Sequence, residues 1–497
     1  MKDVISEIDF RIHAAFLGGF LITFIATSLY GVGLGPDSIS YLSAGHQLWE
    51  QNGFYIYSGR LFVHWPPLFP VILAFITSLP VDETLLLRLL QSLTHGGIAA
   101  LTFSLIRSEW SSGRSLLWVV FLFSVAQWPV LYLTKELYAG GLFLLFSLAL
   151  AYSFNRWISH LDHTHVWGII LFLSLAMLQR YIGVTLWFTV AILLFLSYRH
   201  RFSISSYIHV LGIPATFLGI WLFRNQIITG TLTGERSQPF IGLLDNAMGG
   251  IVVLSKLLLP HAIPDLIRVV ILSLMLVFLI WMITKYPLSD RLKGNALFQF
   301  STLFSGTYLV VLWMVSSSGA SDAMSFRLIA PIFPFLIISL FLVIDDLLSA
   351  SENILFKIFF LTGFVLIVSY HAYFSFNLTR YATEYGAGGF NTRVWHESET
   401  MDWVKENASN AEFISNASDG IYAFTRYKTR STPFRYQTNT SYYSRRYAGS
   451  YLVWFEEIDR QNLYPQKDLV EFWDLTIVEE FDDGTVYRFP DIEIEMN

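Results

Sequence analysis

The sequence predicts an α-helical polytopic membrane protein of about eleven transmembrane helices, followed by a small C-terminal α/β or α+β domain. Three observations predict it. Of the 497 residues, 54% are hydrophobic and only 14% charged, with a mean hydropathy of +0.50, whereas a water-soluble globular chain carries about 25% charged residues. Apolar stretches near the roughly 20-residue length that crosses a hydrocarbon core recur along the first three-quarters of the chain. The charge gathers at the end: residues 376–497 hold 20 of the 38 acids and 12 of the 32 bases.

The first apolar stretch, residues 12–32, follows Lys2 and Arg11. It is longer than a signal-peptide core and is read as a retained span. Further spans are expected near 84–106, 115–132, 137–154, 165–179, 183–198, 206–227, 261–284, 295–316, 327–347 and 354–375. Pro66 to Pro80 is apolar but short and bounded by prolines, which suits a re-entrant or interfacial helix better than a full span; the alternative is a twelfth crossing, which would change the topology. An N-terminus in the cytoplasm puts Arg107 to Arg114, Arg156, Arg199–His200–Arg201 and Lys285 to Lys293 inside, as the positive-inside rule asks. The long first loop, about 33–83, and the polar tail from 376 then fall on the exoplasmic side. In the tail, Trp395 to Glu406 has helical spacing, Ala411 to Asn416 and Ser450 to Phe455 read as strands, and Leu475 to Phe489 reads as a hairpin around Asp483–Gly484. Sequons at Asn377, Asn407, Asn416 and Asn439 all fall in that tail.

Several function classes drop out. No stretch has the dense Lys/Arg clustering of a nucleic-acid binder. The chain has no cysteine, so thiolate chemistry, disulfides and Cys-ligated zinc are excluded.

The residues that could carry chemistry collect on one side of this topology. Asp37, in Gly35–Pro36–Asp37–Ser38, opens an amphipathic helix that includes Tyr41. It is either a helix N-cap or a general base at the mouth of a membrane cavity. His64–Trp65–Pro66–Pro67 closes the same loop. Glu136 starts the fourth span beside Lys135, as that lysine's ion-pair partner or as a second carboxylate of the site. Arg180 and Tyr181 lie in Gln-Arg-Tyr-Ile-Gly, Arg224 precedes Asn225, and Arg327 heads Arg-Leu-Ile-Ala-Pro-Ile-Phe-Pro. Each arginine either reaches for headgroups or offers a guanidinium fork to a phosphate.

In this order the motifs, over about residues 10–350, resemble the GT-C superfamily of polytopic glycosyltransferases, in the branch of protein O-mannosyltransferases and lipid A aminoarabinose transferases. The resemblance implies a GT-C membrane domain (1–375), an exoplasmic domain (376–497), and transfer of a sugar from a polyprenyl-phosphate-linked donor to a protein, lipid or glycan acceptor. It makes Asp37 the catalytic base, and the expected site adds Glu136, with Arg180, Arg327 and Arg224 toward the donor phosphate. Tyr41, His64, Trp65 and Tyr181 are the candidate substrate contacts. Many members carry two acids in the first loop, whereas Ser38 follows Asp37 here, and a divalent metal stays open. Two rivals compete: a flippase or transporter of lipid-linked saccharides, with functional charges near the midplane and on both faces, and an oligosaccharide ligase or polymerase using a diphosphate-linked donor.

Overall fold

The computed structural model describes residues 10–110, 116–160, 164–199, 202–234, 242–318, 323–350, 354–408, 412–435, 446–458, 460 and 463–491. The chain divides into two compact units: Met1–Ser28, Val63–Phe69 and Leu87–Thr383 form one, and Leu29–Phe62, Pro70–Leu86 and Glu384–Asn497 the other.

The helices are, in chain order, α1 (Phe10–Ala26), α2 (Pro36–Trp49), α3 (Leu68–Thr77), α4 (Glu83–Glu109), α5 (Leu116–Val125), α6 (Trp128–Thr134), α7 (Ala139–His160), α8 (Thr164–Gln179), α9 (Val184–Leu196), α10 (Ile204–Tyr207), α11 (Ile213–Thr229) and α12 (Leu243–Leu258). They continue as α13 (Asp265–Lys285), α14 (Asp290–Lys293), α15 (Ala296–Ser318), α16 (Phe326–Ile329), α17 (Phe333–Ala350) and α18 (Ile354–Tyr385). Counting α5–α6, α10–α11 and α16–α17 as continuous, eight described helices are long and apolar enough to cross a membrane. Shorter apolar helices occupy 10–26, 164–179 and 181–196, so all eleven expected spans are helical. At 10 residues α3 is too short to cross, as its flanking prolines foretold. Two boundaries differ from expectation. The first helix ends at Ala26 rather than near 32, where glycines begin, and α18 runs on to Tyr385. Helix α12 was not expected, because its 16 residues mix a polar face with an apolar one and fall short of a span.

The core of the helical unit is apolar, with α17 largely enclosed and α13 largely exposed along its length, as for a helix that faces lipid. Two devices set its ends. Gly183 lets α9 fold back tightly on α8, since a Cβ there would come within 2.6 Å of the Ala176 carbonyl oxygen. Gly230, at φ +70°, ends α11 in the left-handed conformation. One end of the bundle is tied by Glu109, which accepts from Asn155 at 2.9 Å and Asn295 at 2.6 Å, while Asp346 accepts from the Ser289 amide at 2.8 Å.

The second unit holds a five-stranded sheet in the order β4-β3-β5-β7-β6: β3 (Phe413–Ser415), β4 (Arg430–Ser431), β5 (Tyr451–Phe455), β6 (Thr476–Phe481) and β7 (Gly484–Arg488). β3 is parallel to β4 and β5, while β7 is antiparallel to β5 and β6. Ahead of it come the two-stranded β1 (Gly386–Gly388) and β2 (Asn391–Thr392), then helices α19 (Arg393–His396) and α20 (Glu399–Asn407); α21 (Ser418–Thr425) follows β3 and α22 (Gln466–Trp473) precedes β6. The expected helix 395–406 is thus two pieces, broken where Ser398 caps α20 by accepting from the Met401 amide at 2.9 Å. The first loop belongs to this unit. Leu34 pairs with the segment after β1, donating to Gly388 at 3.1 Å and accepting from Phe390 at 2.9 Å. Gly45 lets α2 approach α3, where a Cβ would sit 3.0 Å from that of Leu73. The Asn416 sequon is structural: its side chain is fully buried and brackets Phe455, donating to the carbonyl at 2.8 Å and accepting from the amide at 3.0 Å. Asn439 lies outside the described residues.

Candidate functional site

At the end of the helical unit away from Glu109, three helix junctions converge. The α6–α7 junction carries Lys135, Glu136 and Tyr138; the α8–α9 turn carries Arg180 and Tyr181; the start of α16 carries Arg327. Lys135 Nζ lies 3.0 Å from Glu136 Oε1, and both side chains are buried. Glu136 also faces the Tyr138 hydroxyl, and the Arg327 guanidinium stands 5.5 Å from the centre of the Tyr138 ring. A Cβ on Gly140, one helical position into α7, would sit 3.2 Å from a guanidinium nitrogen of Arg180 and 3.9 Å from Pro331. Glycine at 140 is therefore what admits Arg180 between α7 and the Pro331 turn. Glu136 combines the two roles weighed for it: it pairs with Lys135, and it stands where the cations gather.

The three cations differ in their partners. Arg180 is half-buried, and no described residue accepts a hydrogen bond from its guanidinium. Arg327 lies over Tyr138 in cation–π geometry. Arg224 is drawn into the protein: its guanidinium packs 4.7 Å from the Trp221 ring and donates to Asn225 Oδ1 at 2.8 Å.

A second polar knot follows from Tyr181. Its hydroxyl donates to the Val63 carbonyl at 3.2 Å and accepts from Trp221 Nε1 at 3.0 Å. Asn225, fully buried, donates to the Leu232 carbonyl at 3.1 Å and reaches the Tyr181 hydroxyl at 3.4 Å. Tyr181 and Asn225 thereby anchor the segment entering His64–Trp65. The exposed His64 ring lies against Gly234, where a Cβ would sit 3.0 Å from it and φ is +79°. The sequence signal for Asn225 is the Arg-Asn pair, of which Asn225 makes the buried bonds.

Asp37 and Tyr41 belong to the other unit. The cap of α2 is Gly35, with extended backbone and Pro36 at the first helical position, and Ser38 Oγ accepts from the Gly35 amide at 3.2 Å. Asp37 is thus not the cap. It is a half-buried acid in the first turn, where the helix dipole favours its negative charge. Tyr41, expected at the substrate, is instead buried, its ring 6.1 Å from that of Phe62; the spacing that made α2 amphipathic put this ring on the inner face. The far end of α2 is held by charge: His46 Nε2 lies 3.0 Å from Glu83, and Arg426 donates to Glu83 at 2.6 Å. Tyr57 bonds Ser418 at 3.3 Å, and burial, with the Asp419 charge adding to it, pushes its hydroxyl up to about 12.

No group of three or more His, Asp or Glu side chains among the described residues could hold a metal ion. The bundle offers a long groove instead. Between α9 and α15 runs an apolar cleft of about 740 Å³, lined by Thr185, Phe188, Ile192, Leu303 and Val310 among others. Thr185 begins it just past the 3₁₀ turn Tyr181–Gly183, and Ser197 ends it. The twelve helical steps from Thr185 to Ser197 correspond to about 18 Å.

No protein-family model matches the chain, and no curated protein does. Solved structures do. The chain is similar to ArnT from Cupriavidus metallidurans bound to undecaprenyl phosphate, at 12% identity and a TM-score of 0.58, over 96% of this chain and 97% of that one. It is similar to the apo state of ArnT at 11% identity and a TM-score of 0.57, with the same coverage. A third likeness, to the arabinofuranosyltransferase AftD from Mycobacteria, has 12% identity and a TM-score of 0.51, over 98% of this chain and 40% of that one. The chain shares the fold of these structures: a polytopic helical membrane unit with a small C-terminal α/β region.

Proposed function

We propose that this protein is an integral-membrane glycosyltransferase that moves one sugar from a polyprenyl-phosphate carrier to a hydroxyl acceptor at the exoplasmic face, by an inverting displacement. One observation carries the reading: a cationic helix junction is followed, within about one helical turn along the chain, by a long apolar groove. Arg180 offers a guanidinium that no described residue uses, Arg327 stands at the neighbouring junction, and the groove between α9 and α15 starts one turn beyond Tyr181. A polyprenyl phosphate has the matching shape, an apolar chain ending in an anion. ArnT, which shares the fold, binds undecaprenyl phosphate, and that supports the same carrier class here.

The chemistry asked of the residues is limited. The acceptor oxygen forms a bond to the anomeric carbon as the carbon–oxygen bond to phosphate breaks, and the phosphate departs with the electron pair. Asp37 takes the acceptor's proton. Arg180 and Arg327 offset the charge that grows on the leaving phosphate. Lys135, paired to Glu136, adds fixed charge at the same end.

Mass spectrometry of lipid extracted from the purified protein is expected to find a polyprenyl monophosphate. A diphosphate-linked oligosaccharide would move the protein to the ligase or polymerase class. Supplied with a polyprenyl-phosphate sugar, Asp37→Asn should insert normally and lose at least about 100-fold in transfer rate, the low end for general-base catalysis. Ordinary turnover by that variant would remove Asp37 from the chemistry.

A further inference from the structure

The sheet of the second unit creates a crevice of its own. Its three parallel strands, β4, β3 and β5, all end on one edge, and their connections part there. From β3 the chain goes through α21 to β4 on one side; from β5 it goes through α22 to β6 and β7 on the other. In open α/β sheets such a switch point leaves a crevice outside the carboxyl ends of the strands. A crevice of about 370 Å³ stands there, within the range of small-molecule sites.

Its walls combine cations with aromatic rings. Arg435 follows β4, Arg460 follows β5, and Lys467 lies in the first turn of α22; Trp454 and Tyr464 supply rings, and Glu456 is the acid among them. Arg460 is set in place by the first turn of α21. One of its terminal nitrogens donates to both oxygens of the buried Asp419, at 3.0 and 2.8 Å. Its other terminal nitrogen and Nε have no acceptor among the described residues. Among the described residues Arg435 uses only Nε, donating to the Leu463 carbonyl at 2.8 Å. Lys467 is exposed and pairs with no described carboxylate. The cations here thus exceed what the fold itself uses.

We infer that this crevice binds an acidic saccharide, with a sugar carboxylate held by the guanidinium and ammonium groups and a ring face against Trp454 or Tyr464. Guanidinium forks match planar carboxylates in a way that a point charge does not. Glu456 and Gln466 supply acceptor and donor groups for hydroxyls. The inference is independent of the transferase reading, since it uses neither the helical unit nor Asp37.

The test titrates digalacturonate, neutral maltose and inorganic phosphate into the full-length detergent-solubilised protein, read by calorimetry. Digalacturonate should bind at least tenfold more tightly than maltose, with phosphate weaker than digalacturonate and all acid binding falling with salt. Lys467→Glu and Arg435→Gln, both at exposed positions, should each weaken digalacturonate about tenfold or more while thermal unfolding stays unchanged. Equal binding of acid and neutral disaccharide overturns the inference, as does no digalacturonate binding or wild-type affinity in Lys467→Glu. Phosphate binding as tight as digalacturonate would reduce the crevice to a bare anion site and overturn the saccharide assignment.

Discussion

Both ends of the helical bundle are polar, and they differ in what their polar groups bond to. At one end Glu109 joins α4 to Asn155 of α7 and to Asn295 before α15, and Asp346 holds the Ser289 turn. Both carboxylates accept from donors on neighbouring helices and turns and so fasten them together. At the other end the α6–α7 and α8–α9 junctions and α16 present Lys135, Glu136, Arg180 and Arg327, and there Arg180 has no described acceptor. A buried or half-buried cation without a partner costs stability. The comparison teaches that polarity at a helix end is not itself a sign of function; what distinguishes the second end is donor capacity left over after the fold is satisfied.

The comparison breaks most sharply at Glu136. Its carboxylate is the partner of a buried lysine, and removing one member of a buried pair costs about 3 to 5 kcal/mol by leaving the other charge uncompensated. Glu136→Gln is therefore expected to unfold at markedly lower temperature, and Lys135→Met combined with Glu136→Gln should recover most of that loss. If transfer activity returns with the fold in the double variant, Glu136 is a structural partner only. If the fold returns without transfer, the pair belongs to the site.

The next effect contrasts the two ends directly. Arg180→Ala should leave thermal stability near wild type and reduce transfer about 10- to 150-fold, the kinetic equivalent of one charge-assisted contact of 1.5 to 3 kcal/mol. Glu109→Ala should do the reverse, lowering stability by about 1 to 3 kcal/mol with transfer per folded molecule intact. Matching behaviour of the two variants would erase the distinction between the ends. Arg327→Lys sharpens it further. Lysine keeps the charge but loses the fork, so the apparent donor constant should rise roughly tenfold with little change in acceptor dependence. Unchanged donor titrations would make Arg327 an interfacial side chain.

Much of this was legible in the sequence. All eleven expected spans are helical among the described residues, eight of them long and apolar enough to cross, and they showed as apolar stretches because a crossing takes about 20 apolar residues. The convergence of Glu136, Arg180 and Arg327 followed from counting crossings, and the contacts of Gly140 and Tyr138 agree with it. What stayed hidden depends on long-range packing. Tyr41 was a candidate substrate contact, and amphipathic spacing, which gives a helix two faces, does not say that Phe62 packs against its ring. Arg224 was expected toward the donor phosphate, and local spacing does not show that its guanidinium also packs on Trp221 and donates to Asn225. The pairing of Leu34 with the segment after β1, and the crevice that gathers Arg435, Arg460 and Lys467, follow from strand order, which local patterns do not encode.

The smallest expected effect tests how the segment carrying His64 and Trp65 is held. The Tyr181 hydroxyl donates to Val63 and accepts from Trp221, while Asn225 also lies within 3.5 Å of the Val63 carbonyl. Tyr181→Phe removes the hydroxyl and keeps the ring, so packing against the bundle survives. Because Asn225 still reaches the carbonyl, the loss should be that of a neutral hydrogen bond, about 1 kcal/mol, or roughly fivefold in an equilibrium or rate. Where that fivefold appears is informative. If His64 and Trp65 face the acceptor, Tyr181→Phe raises the apparent acceptor constant and leaves the donor curve where it was. A shift confined to the donor curve would tie the segment to the phosphate end instead, and a fall in melting temperature alone would make Tyr181 a brace with no part in substrate binding.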